Sequence, residues 1–88
     1  MVLKDFTRQV SFTKSAIHEV LGGELRKIRE EAGLSLYAMA HRTGCTSKSA
    51  SAAEKRDRPV SAAITITLLL EMGVEPSRIA ELIEHAIS

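Results

Sequence analysis

Leu36-Tyr37-Ala38-Met39-Ala40-His41-Arg42-Thr43-Gly44-Cys45-Thr46-Ser47-Lys48-Ser49-Ala50-Ser51-Ala52-Ala53-Glu54-Lys55 is the stretch on which the fold turns. It reads as two short helices joined by a tight turn. Ser35, just upstream, is a residue type whose side-chain oxygen caps a helix start, and Met39 and Ala40 supply an inward face. Gly44 reaches the positive φ that ends a helix, a conformation other residues adopt only at a cost. Thr46 then caps a second helix. Two helices joined this tightly cross at about 90–120°. The small Ala40 fits such a close crossing.

The flanks also read as helical. Ile17, Val20/Leu21, Leu25, Ile28 and Ala32 recur at three- and four-residue steps, an apolar stripe that ends at Gly33. Gly22-Gly23 interrupts it, and each glycine costs about 1 kcal/mol against alanine in a helix interior. Two helices, or one with a weak point, are expected there. Before Lys14, Val2, Phe6, Val10 and Phe12 alternate weakly with polar residues, which fits a short strand, an ordered arm or a disordered terminus. Downstream, Arg56-Asp57-Arg58-Pro59 reads as a loop, because proline disfavours helix in the residue before it. Ser61 caps an apolar helix through Ile64, Leu68, Leu69 and Met72, ended by Gly73. Its Ile64-Thr65-Ile66-Thr67 run is β-branched, but capping signals flank it and no partner strand is evident. Pro76 opens a last helix with Ile79, Leu82/Ile83 and Ala86/Ile87 on one face.

Composition narrows the class. The 88 residues suit one small domain that buries about 60–65% of its unfolded surface, stabilised by dense helix packing or by association. One cysteine makes no internal disulfide, which suits a reducing cytosol. No run reaches the ~18 apolar residues of a membrane span, and the first residues lack a signal peptide's apolar core. A cytoplasmic protein without a membrane partner is expected. The net charge of +1 hides a segregation: residues 42–58 balance to +3 and residues 71–88 to −3. A polyanion is attracted to the first segment and repelled by the second.

Residues 21–74 resemble the Cro/phage-repressor helix-turn-helix family, also called lambda-repressor-like or xenobiotic-response-element type. The residues that carry the resemblance are Leu25 to Gly33, Gly33-Leu34-Ser35, Ala40, Gly44, Thr46 to Glu54 and Met72-Gly73-Val74, all at the family's spacing. The resemblance implies an all-α, compact five-helix domain over residues 21–88, with residues 1–20 as an N-terminal arm and helical extension. It implies double-stranded DNA as partner and a bacterial, phage or plasmid origin. Base-facing positions become Thr46, Ser47, Lys48 and Ala52. Phosphate contacts fall to Arg42, Lys55, Arg56 and Arg58. Arg29 and Glu54 sit where the family pairs a helix-one arginine with the glutamate that ends the recognition helix.

Three departures from the family pattern matter. Ala50 and Ala53 stand where large aliphatics are usual, so something else, such as the N-terminal segment, has to fill that space. Leu36 replaces a polar phosphate contact. Arg56 replaces the glycine that follows Glu54 and so removes an easy left-handed cap.

The functional expectation is a sequence-specific transcriptional regulator, a repressor acting by operator occupancy. Few base contacts per helix argue for a homodimer, with Ile79, Ile83 and Ile87 as the first choice of interface, the N-terminal arm as the second, and coverage of the domain's own core as the other use of that face. The alternatives are a protein-interaction module (an antitoxin, anti-repressor or adaptor) and a non-specific architectural binder. An enzyme is not expected. His18, His41 and His85 lie in different segments without a carboxylate or cysteine pattern, and each reads as a surface histidine. No metal site or cofactor is expected: Cys45 has no second cysteine and reads as packing, and Gly22-Gly23 lacks the Lys-Ser/Thr of a phosphate loop.

Overall fold

Capping chemistry decides where the short helices begin. Ser35 Oγ accepts from the Ala38 amide, Thr46 Oγ1 from the Ser49 amide and Ser61 Oγ from the Ala63 amide, so each satisfies a donor that the first helical turn leaves orphaned. In the computed structural model, which describes residues 3–55 and 61–88, with side chains from residue 13 onward, these caps start three of five helices. The order is α1 (Leu3–Glu31), α2 (Leu36–Thr43), α3 (Ser47–Glu54), α4 (Ala62–Glu71) and α5 (Pro76–Ile87). The fold is all-helical, with no strand among the described residues.

The N-terminal third departs from the looser expectation. Residues 3–12 are helical, continuous with the rest of α1, and no break occurs at Gly22-Gly23. Val2, Phe6 and Val10 are spaced by four, a step that serves a helical stripe as well as a strand's alternation. At 1.5 Å per residue α1 is about 43 Å long, and the molecule's longest extent is 46 Å.

The other helices pack around the C-terminal half of α1, which touches α3, α4 and α5, while α2 packs mainly on α3. The core joins Leu21 and Leu25 of α1, Met39 and Ala40 of α2, Ala50 and Ala53 of α3, Leu68 and Leu69 of α4, and Ile79 and Leu82 of α5. The β-branched Ile64-Thr65-Ile66-Thr67 run lies within α4. There Thr65 is buried and its hydroxyl has no hydrogen-bond partner.

Gly22 explains how α3 fits with alanines in place of large aliphatics. A Cβ built on Gly22 would lie 2.5 Å from the Ala53 carbonyl oxygen and 3.5 Å from Glu54 Cα. Backbone therefore meets backbone between α1 and α3. The close approach falls at Ala53, and Ala50 and Ala53 are both fully buried. Gly23, one residue on, has open space around it.

Candidate functional site

The candidate surface is the α2–turn–α3 unit. Gly44 adopts a left-handed conformation (φ 75°, ψ 21°), and its amide and that of Cys45 both return to the Ala40 carbonyl. The Thr43 hydroxyl donates to the Met39 carbonyl at 2.8 Å and tightens the same turn. Cys45 is half-buried, packed against the core, and its thiol donates weakly to the Thr46 carbonyl at 3.5 Å. The chain then enters α3 directly, with Thr46 as cap.

α3 presents a short polar face. Thr46, Ser47 and Lys48 are exposed at its start, Ser51 and Ala52 are half-buried, and Ala50 and Ala53 are turned fully into the core. The Thr46 hydroxyl is occupied twice, accepting from the Ser49 amide at 3.1 Å and donating to Ser49 Oγ at 3.0 Å. Ser47 and Lys48 are therefore the exposed donors with the most freedom to meet an outside acceptor. Arg42 on α2 and Lys55, just past the end of α3, are also exposed. Arg56 and Arg58 lie outside the described residues.

A two-pronged ion pair ties α3 to α1. Arg29 Nε donates to Glu54 Oε2 at 2.8 Å and the guanidinium Nη2 to Oε1 at 3.0 Å, while Nη1 donates to the Leu34 carbonyl at 2.8 Å. The side chains are only 14% and 6% exposed. The hydrogen bonds to Glu54 hold the Arg29 guanidinium protonated even more firmly than usual, against a smaller opposing effect of burial. One guanidinium thus joins the end of α3 to the α1–α2 loop. The planar fork fixes direction as well as distance.

Other expected site residues are placed differently. Ile79 is 5% exposed and belongs to the chain's own core, and Ile83 packs partly against it. Only Ile87, at 57%, projects outward. α5 therefore uses most of its apolar stripe within the chain. Among the histidines, His41 and His85 are exposed, and His41 stacks on Tyr37 with ring centroids 6.4 Å apart. His18 is not a plain surface residue. It is half-buried, and its Nε2 lies 2.5 Å from the Lys55 carbonyl oxygen at the end of α3. Nothing in the local sequence marks this contact, since donor and acceptor are 37 residues apart.

Among the described residues no group of three or more histidine, cysteine or acidic side chains is placed to hold a metal ion, and no helix is long and apolar enough to cross a membrane. No protein-family model, curated protein or solved structure matches the chain.

Proposed function

We propose that the chain is a sequence-specific DNA-binding regulator, a repressor that occupies its operator as a homodimer. The observation that carries this reading is the α2–turn–α3 unit. Its second helix exposes Ser47 and Lys48 at the N-terminal end while its C-terminal end is held by Arg29. In a helix-turn-helix the second helix lies in the major groove with its N-terminal residues toward the base edges, and the first helix crosses the backbone.

On that arrangement Lys48 donates to guanine O6 or N7, and Ser47 reaches a neighbouring base edge. Thr46 contributes chiefly its backbone, its hydroxyl being bound to Ser49, and the half-buried Ala52 offers a methyl to thymine. Arg42 and Lys55, with Arg56 and Arg58 next in the sequence, serve phosphates, which set affinity and register rather than sequence. The ion pair holds α3 at one angle, so these contacts are made without first ordering the helix. A single helix with so few readers falls short of a specific affinity of about 10⁻⁸ M. Two copies with helices about 34 Å apart supply the rest.

The second reading, a protein-interaction module that keeps this architecture without DNA readout, draws on the short reach of α3. Lysine at position 48 is its only long polar side chain before the helix end. Competition binding at fixed salt separates the two. A duplex-binding protein that prefers one sequence over random DNA supports the first, and a protein that retains no duplex supports the second.

A further inference from the structure

α3 lacks the ordinary means of ending a helix. α2 stops at a left-handed glycine, whereas α3 leaves through Lys55 in an extended conformation (φ −95°, ψ 142°). Its last turn contains no basic residue to meet the carbonyl end of the helix dipole. The last four carbonyls of any helix need partners from elsewhere. α1 faces this end with three consecutive contacts spaced along one side. Arg29 takes the Glu54 carboxylate, Gly22 lies against the Ala53 carbonyl, and His18 meets the Lys55 carbonyl.

We infer that His18 is a positioning residue for α3: its Nε2–H supplies the missing C-terminal cap from α1 and fixes the direction of the α3 axis. Packing alone does not hold the ring. Beside it is a cavity of about 100 Å³ lined by Lys14, Ile17, Leu21, Ala62 and Thr65 together with His18 itself, so the ring is not enclosed on that side. The hydrogen bond is what keeps the ring on the carbonyl. Arg29 acts on the side of the helix end and His18 on its exit, so together they restrict two different rotations. The consequence for Lys48 and Ser47 rests on the DNA-binding reading above. The capping itself does not.

The test compares His18→Ala with His18→Gln, whose amide nitrogen stands near the position of ring Nε2. Amide hydrogen exchange and the Lys55 carbonyl ¹³C shift are measured on the free protein, with α5 amides as the internal reference for intact folding. In His18→Ala the Lys55 carbonyl resonance moves and the amides of residues 52–54 exchange about 2- to 12-fold faster, the span of one lost hydrogen bond. His18→Gln restores both. Unchanged exchange in His18→Ala overturns the capping role. The second arm is DNA discrimination, read as the affinity ratio of a selected duplex to random duplex. That ratio falls by a similar factor in His18→Ala and recovers in His18→Gln. Faster exchange with an unchanged ratio in a wild-type protein that does discriminate overturns the positioning role. A wild-type protein that does not discriminate refutes the DNA reading instead, and the exchange arm still decides the cap.

Discussion

Alanine at position 22 and alanine at position 23 differ in their effects on stability, although the two glycines are neighbours in one helix. Each substitution gains the same intrinsic helix preference, about 1 kcal/mol in a helix interior. At Gly23 nothing lies within 4 Å of the new Cβ, so the gain is realised in full. At Gly22 the Cβ would sit 2.5 Å from the Ala53 carbonyl oxygen, and the obstacle is backbone rather than a flexible side chain. α1 and α3 must then separate, and overpacking of this kind costs about 1–3 kcal/mol. Because the propensity gain is common to both, the difference between the variants isolates the clash. For a domain of this size 1 kcal/mol moves Tm by about 4–8 °C. Thermal melts followed by helical circular dichroism should place Gly23→Ala about 4–8 °C above wild type, and Gly22→Ala below Gly23→Ala by at least that much. Equal stabilisation of both variants would refute the close approach of α1 to α3. It would also remove the explanation for alanine at position 53.

Further expected outcomes follow from single contacts. Glu54→Ala leaves Arg29 without its carboxylate. It should cost about 3 kcal/mol in urea unfolding, the low end for a buried pair because the Leu34 carbonyl remains, and it should weaken DNA binding. A rise in affinity, from removing a negative charge near phosphate, would show that the pair does not orient α3. Thr65→Val keeps the shape and removes a buried hydroxyl that has no partner. It should stabilise the fold by about 1 kcal/mol, and a loss of stability on denaturation would mean that the hydroxyl is satisfied in solution. Lys48→Ala should cost about 1–3 kcal/mol on a selected duplex and much less on random DNA. Equal losses on both would make Lys48 a phosphate contact and move sequence readout to DNA shape.

The sequence exposes local chemistry and hides contacts between distant segments. Ser35, Thr46 and Ser61 are legible as caps because a cap needs only its own hydroxyl and the next turn's amides. Gly44 is legible because a left-handed turn residue favours glycine. Gly22 is not, because its value depends on the α3 backbone lying against it, and propensity alone marks it as a weakness. Residues 3–12 are ambiguous because apolar residues four apart satisfy both a strand's alternation and a helix's turn. Ile79 and Ile87 belong to one stripe by periodicity, yet one lies in the core and the other in solvent, a distinction set by where α1 lies. His18 gives no signal at all: its partner is a backbone carbonyl, which every residue has.

The most direct test of the central claim is selection of duplexes from a random pool by the full chain, followed by a mobility-shift assay of the enriched sequence against random competitor at about 0.15 M salt. The account predicts enrichment of a two-fold repeated site with half-sites about 10 base pairs apart, bound at least about 10³-fold more tightly than random DNA. A chain that enriches no sequence, or that binds the pool and the competitor alike, contradicts it.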